Sequence, residues 1–176
     1  MSFKLISDNY RQQNEILHQT THYGVTAPRY ARKIKAMARR LDAKNILDYG
    51  SGTRRHVEKM FWFKKVESYD PCVPDLSAAP RPADFLVCCD VLEHIEPDCL
   101  DDVLSHMESL AQRGVFLSIS TRRANKNLPD GRNAHLIVEG ADFWLPLLMA
   151  QWRLERFEAF SDEIVCEMRS LPKSQA

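Results

Sequence analysis

The chain predicts an α/β fold: a mostly parallel sheet with helices on both faces and a C-terminal antiparallel hairpin. Three observations carry this. Short apolar runs of strand length alternate with amphipathic helical stretches, the first run ends in a Gly-x-Gly turn at Gly50 and Gly52, and the last two runs alternate in polarity about Ser161-Asp162. A length of 176 residues, with 44% hydrophobic and 27% charged residues, suits a single globular domain. Residues 1–44 are expected to form a helical flank or lid of that domain, and residues 45–176 its core.

The elements follow in order. Asp8 can cap a first helix running to about Gln19, with Tyr10, Ile16 and Leu17 as its sparse apolar side. After a loop containing His22 and Tyr23, Pro28 opens a second helix in its first turn. There Tyr30, Ile34, Met37 and Leu41 recur at helical spacing, while Arg29, Arg32, Lys33, Lys35, Arg39 and Arg40 fill the remaining circumference. One face packs; the other is basic, suited to solvation or to phosphate. The first strand is Asn45 to Asp48, followed by a helix from about Thr53 to Phe61 and a second strand from Val66 to Asp70.

Pro71, Pro74, Pro80 and Pro82 then fall within 13 residues and exclude a regular helix plus another strand. The third strand of a full doubly wound sheet is therefore expected to be missing. The segment can span about 43 Å at roughly 3.3 Å per residue, enough to return across the sheet. Asp84 to Cys89 is a buried strand leading into DVLEHIEP. A helix capped by Asp98 carries Leu100, Val103, Leu104, Met107, Leu110 and Ala111 on one face, and Val115 to Ile119 is the next strand. Residues 120–133 are polar and irregular, with a tight turn at Asp130-Gly131. A helix from Ala141 to Gln151 and strands from Arg153 to Phe160 and Glu163 to Arg169 close the chain.

Net charge is zero, but residues 1–65 carry 14 Lys/Arg against 5 Asp/Glu, and residues 66–110 carry one against 11. The first third is thus at +9 and the middle at −10, an asymmetry that can steer an anionic partner. Five cysteines, Cys72, Cys88, Cys89, Cys99 and Cys166, without C-x-x-C spacing, argue against a disulfide framework or a zinc site made of thiolates. The apolar run Phe143 to Ala150 is eight residues long, short of the roughly 20 that cross a bilayer, and the first ten residues lack a signal-peptide core. A cytoplasmic protein with no membrane partner is expected.

The stretch Asn45 to Gly52, NILDYGSG, is the organising motif. Glycines at the end of a strand let the backbone bend sharply and let a ligand approach the main chain. Asp48 places a negative charge there, which argues against a pyrophosphate and for a ligand carrying a cation or hydroxyl groups. Asp70 ends the second strand 18 residues beyond Gly52, where a right-handed β-α-β unit sets it beside the glycine turn. It can accept hydrogen bonds from two ribose hydroxyls or cap the turn at Pro71.

Together, D-x-G-x-G at Asp48, Gly50 and Gly52, Asp70 after the second strand, and DVLEHI from Asp90 to Ile95 resemble the Rossmann-like class I S-adenosylmethionine-dependent methyltransferases. The resemblance runs from about Leu41 to the C-terminus. It implies that Asp48, Gly50, Ser51 and Gly52 hold the methionine part of the cofactor and Asp70 its ribose. It also implies that Pro71 covers the adenine with Cys72 and Val73, and that Cys89, Asp90 and Leu92 lie along the sulfonium. Arg54 and Arg55 depart from the family pattern, standing where many relatives have a small residue.

Asp90, Glu93 and His94 also form D-x-x-E-H, with His135 after the next strand. The pattern resembles the E-x-x-E-H and distal His of metal-dependent O-methyltransferases, among them small-RNA 2'-O-methyltransferases. That resemblance implies a site for Mg, Mn, Fe or Zn on Asp90, Glu93, His94 and His135. Without a metal, His135 or His94 is the candidate general base. The 125–135 segment, with Asp130, Arg132 and Asn133, and His18, His22 and Tyr23 from the N-terminal flank, are candidate substrate contacts. The function expected is O-methylation of a polar small molecule or sugar. RNA 2'-O-methylation is one alternative and a non-catalytic, cofactor-binding scaffold another.

Overall fold

Neighbouring residues on the inner strands face opposite sides of the sheet, and both sides are apolar, so the chain must cover both. Ile46, Phe85, Val87, Phe116 and Val165 face one layer of helix, while Leu47, Leu86, Cys88, Val115, Leu117 and Ile164 face the other. The computed structural model describes residues 3–20 and 25–172.

Six strands, β1 (Asn45–Tyr49), β2 (Lys65–Tyr69), β3 (Ala83–Cys89), β4 (Ala111–Ser120), β5 (Trp152–Ala159) and β6 (Glu163–Ser170), form one sheet in the order β2-β1-β3-β4-β6-β5. β1 to β4 are mutually parallel; β6 runs antiparallel between β4 and β5. Helices α2 (Ala31–Arg40) and α3 (His56–Met60) pack through Ile34, Met37 and Val57 on one face. Helices α4 (Leu100–Leu110) and α5 (Ala141–Gln151) pack through Val103, Leu104, Met107, Trp144 and Leu148 on the other. β2 is an edge strand and the chain passes to β3 with only a 3₁₀ turn at Pro74–Leu76, so the expected third strand is missing.

Four local expectations need correction. The stretch from Thr53 to Phe61 yields only the five-residue α3, because Arg55 sits at φ +50°, a left-handed conformation from which no right-handed helix propagates backward. Helix α1 (Asp8–Thr20) is capped by Ser7, whose Oγ accepts the Tyr10 N–H at 3.2 Å, rather than by Asp8. Asp98 pairs with Lys4 instead of capping α4. β4 begins at Ala111, earlier than Val115, because Gly114 continues the strand rather than preceding it.

Residues 3–7 and α1 form a strap across the C-terminal edge of the sheet. The Ser7 N–H and Oγ–H donate to Glu96 at 2.8 and 2.7 Å, the Tyr10 hydroxyl donates to the His94 carbonyl at 2.5 Å, and Gln13 Nε2 donates to Asp130 at 2.9 Å.

At Gly114 in β4, the backbone of β6 and the Met37 side chain of α2 approach closely. A Cβ there would stand 2.7 Å from the Met168 carbonyl oxygen and 3.1 Å from Met37 Cε, and a backbone oxygen cannot yield as a side chain can. Gly114→Ala is expected to lower the unfolding free energy by about 1–3 kcal/mol, measured by urea denaturation.

Candidate functional site

The glycine turn forms because its N–H groups have acceptors waiting at the end of β2. The N–H groups of Gly50 and Ser51 donate to the Tyr69 carbonyl at 2.8 and 3.1 Å. The Gly52 N–H donates to Asp70 Oδ2 at 2.9 Å, and the Cys72 N–H to Asp70 Oδ1 at 2.9 Å. Gly50 and Gly52 take φ +74° and +56°. At Gly50 a Cβ would lie 2.4 Å from Val91 Cγ2, so this position admits no side chain.

Above the turn lies a cavity of about 500 Å³, within the range of small-molecule sites. Of the residues expected to hold a cofactor, Gly50, Gly52, Asp70, Pro71, Cys89 and Asp90 line it. Cys72 joins Pro71 there, and Val73 does not. Three expectations change. Asp48 is 6% exposed and lies behind the turn, where the Val57 backbone hydrogen-bonds to it. Ser51 is buried, with its Oγ on the Gly52 carbonyl. Leu92 is fully buried in the core beneath a 3₁₀ turn, and its neighbour Val91 forms the cavity wall instead. Arg54 and Arg55 do not line the cavity.

Burial, and then the charge of Asp70, push the Asp48 carboxyl up to about 7, while the Val57 hydrogen bond opposes the shift. The negative character of the wall near the turn therefore rests on Asp70 and Asp90 more than on Asp48.

His94 and His135 line the far side of the cavity, and with Glu93, which is buried behind them and does not line it, they bring one potential ligand atom each within 4.8 Å of the others. The imidazoles meet edge to face at 4.7 Å between centroids. His94 Nδ1 is 2.8 Å from the Ala134 carbonyl oxygen and His135 Nδ1 is 2.6 Å from the Arg122 carbonyl oxygen. A carbonyl only accepts, so each Nδ1 carries the hydrogen, and in the neutral ring Nε2 holds the lone pair. Glu93 is fully buried; its Oε1 accepts the Ser120 N–H at 2.8 Å, and its Oε2 has no hydrogen-bond partner among the described residues. Burial and nearby Asp90 hold its carboxyl well above the usual carboxylate range.

Asp90 neighbours Glu93 but is not among the three residues whose ligand atoms converge. It takes φ +58° and its Oδ2 accepts the Thr26 hydroxyl at 2.7 Å. Of the 125–135 segment, Asn125, Lys126, Ala134 and His135 line the cavity. Asp130 and Arg132 pair with each other, and Asn133 hydrogen-bonds within its own loop. The side chain of His18, and all of His22 and Tyr23, lie outside the described residues. Sequence reasoning missed Asn14, Thr26, Arg122 and Glu163 as lining residues, and assigned Tyr10 only to packing. No local pattern marks them, since each reaches the cavity through contacts far apart in sequence.

Residues 22–169 match the family model described as a methyltransferase domain. Among curated proteins no sequence matches the chain. Among solved structures, the N-methyltransferase NodS from Bradyrhizobium japonicum WM9, in complex with S-adenosylhomocysteine, is similar at TM-score 0.62 and 15% identity, covering 94% of this chain and 100% of that one. The 1,6-didemethyltoxoflavin-N1-methyltransferase of Burkholderia thailandensis is similar at TM-score 0.63 and 15% identity, covering 97% and 93%. Magnesium protoporphyrin IX methyltransferase from Synechocystis PCC 6803 is similar at TM-score 0.53 and 16% identity, covering 81% and 80%.

Two outcomes are expected. Gly50→Ala should abolish calorimetric binding of S-adenosylhomocysteine, since the added methyl displaces Val91 into the cavity. Asp48 binds its proton more tightly folded than unfolded, so its contribution lowers stability as pH rises from about 4 to about 7. Asp48→Asn should flatten the pH dependence of thermal unfolding over that window; an unchanged profile would count against the assignment.

Proposed function

The chain belongs to the S-adenosylmethionine-dependent methyltransferases of class I, and from that premise we propose that it methylates a hydroxyl oxygen of a polar small molecule or sugar. The observation that supports the oxygen acceptor is the tautomer fixed on His94 and His135. A hydroxyl must lose its proton as it attacks, whereas a neutral amine attacks through a lone pair it already has. Two imidazoles whose Nδ1–H groups are held by carbonyl oxygens keep Nε2 as the basic atom.

The cavity fits the cofactor through the Gly50-Gly52 cradle and the carboxylates of Asp70 and Asp90. S-adenosylmethionine supplies the electrophilic methyl on a cationic sulfur. In this reading Asp70 receives the ribose, and Gly50 and Gly52 let the methionine part approach the backbone. Asp90 presents negative charge toward the sulfonium. Val91, Leu5, Ile6 and Ile95 add apolar lining. His135 or His94 takes the proton from the acceptor hydroxyl, and the strap from Leu5 to Asn14 limits water entry.

Glu93, His94 and His135 also fit a divalent cation, because they combine a buried carboxyl oxygen without a hydrogen-bond partner among the described residues with two imidazoles oriented through their other nitrogens. Such an ion, Mg, Mn, Fe or Zn, would supply Lewis acidity toward the acceptor hydroxyl. Asp90, held by Thr26, is not part of that set.

The RNA alternative draws its support from the basic first third of the chain and the possible metal site. Within that first third, however, Arg29, in the turn before α2, pairs with Glu163 at 3.0 Å, and Lys33 and Arg40 of α2 pair with Glu158 and Glu167. Those contacts favour the small-molecule reading. The scaffold alternative loses one motive, since Arg54 and Arg55 do not crowd the cavity.

The test uses labelled S-adenosylmethionine with parallel panels of polyols, sugars and amines. His135→Ala should lower the turnover of a hydroxyl acceptor by roughly 10²–10⁴-fold. Transfer confined to amines and undiminished in that variant would sink the oxygen reading. Calorimetry with manganese or zinc separately tests the ion: binding should weaken at least about tenfold in Glu93→Gln and in His94→Ala, and no heat in the wild type would remove it.

A further inference from the structure

The two faces of the sheet differ in charge. α2 and α3 cover the face centred on Ile34, Met37, Val57 and Phe61. From Arg29 to Arg40 there are six Lys/Arg and no acid, and from Arg54 to Lys65 five and one acid, Glu58. α4, on the opposite face, carries Asp101, Asp102 and Glu108, with Asp98 in the turn before it. The hairpin partly neutralises the first stretch through Arg29, Lys33 and Arg40. In the second stretch, the acid ion pair among the described residues is Arg55 with Glu58, at 3.8 Å.

At the end of that stretch two large rings stand in solvent. Trp62 is 84% exposed and Phe63 62% exposed, while Phe61 beside them is buried at 2% and anchors the turn. The Lys64 N–H closes the turn on the Phe61 carbonyl at 2.7 Å, and Lys64 Nζ donates to the Ala43 carbonyl at 2.8 Å, 5.8 Å from the Phe63 ring centroid. The rings are thus held outward by a fixed turn.

Position narrows the choice of partner. Lys65 opens β2 opposite Asn45, the first residue of β1, whereas the cavity forms where those strands end at Tyr69 and Tyr49. The aromatic tip therefore lies at the opposite edge of the sheet from the methyl-transfer site, where a nucleic-acid substrate could not use it while reaching the cofactor. Two protruding side chains also cover far less than the roughly 1,000 Å² a stable protein interface needs. An exposed tryptophan flanked by lysines and arginines suits a lipid interface, where the ring sits at headgroup level and the cations meet anionic headgroups.

We propose that the Trp62-Phe63 tip, with Lys59, Lys64 and Lys65, is a peripheral docking point for an anionic phospholipid surface, leaving the cavity facing away from it. This departs from the absence of a membrane partner expected from composition, because hydropathy windows detect spans and a docking tip needs only a few residues. Among the described residues no helix is long and apolar enough to cross a membrane, so contact would be confined to the surface.

The full chain provides its own probe: Trp144 and Trp152 are fully buried, so a change in tryptophan emission reports on Trp62. Phosphatidylcholine vesicles with about one third phosphatidylglycerol should shift the emission to the blue and co-sediment the protein at least about tenfold better than phosphatidylcholine alone. About 0.5 M salt should reverse this. The double variants Trp62→Ala/Phe63→Ala and Lys59→Glu/Lys65→Glu should each weaken vesicle binding about tenfold or more, with S-adenosylhomocysteine binding unchanged. Equal partitioning to both vesicle types, or unchanged binding in both variants, would overturn the proposal. So would a wild-type dimer that dissociates on Trp62→Ala/Phe63→Ala without lipid, which would assign the tip to contact between copies.

Discussion

The Asp70 carboxylate receives the Gly52 N–H on one oxygen and the Cys72 N–H on the other, and the carbonyl just before it receives the N–H groups of Gly50 and Ser51. Four donors that a tight turn would otherwise leave without acceptors are thereby satisfied by two adjacent residues. The bend after β1 and the end of β2 become one rigid unit, and the floor of the cavity inherits that rigidity. The backbone of the same residue holds the return toward β3: the Asp70 N–H donates to the carbonyl of buried Leu76 at 3.0 Å. The shortened sheet stays closed at its edge through these bonds and through Arg81 on Glu67.

The rest of the cavity is assembled from distant segments. Ser120 at the end of β4 binds Glu93, the Ala134 carbonyl orients His94, the Arg122 carbonyl orients His135, and Thr26 turns Asp90 toward the cofactor side. Tyr10 then fastens the strap to the His94 carbonyl. Each contact fixes a neighbouring functional group, so the acid wall and the imidazole wall face each other without a shared side chain.

Charge is distributed with similar economy. The acids of β5 and β6 lie under the cations of α2, so much of the basic character visible in the first third of the chain is used internally. What is left outward belongs mainly to the stretch around α3, which ends in exposed rings. A net charge of zero conceals a molecule with differently charged faces.

The sequence by itself determined the parallel sheet, the missing third strand, the glycine turn and the place of Asp70. These follow from short-range facts: apolar period, prolines that cannot join a helix or inner strand, and a spacing that a right-handed crossover converts into adjacency. Only the tertiary structure decided which side of the turn Asp48 faces, whether Leu92 or Val91 reaches the cavity, and that Asp90 leaves the trio of Glu93, His94 and His135. Those outcomes hinge on single positions of rotation in 3₁₀ and left-handed backbone, and on partners such as Thr26, 64 residues from Asp90. Local pattern cannot set them, because the hydrogen bond that chooses the rotation comes from a segment that arrives only when the chain has folded.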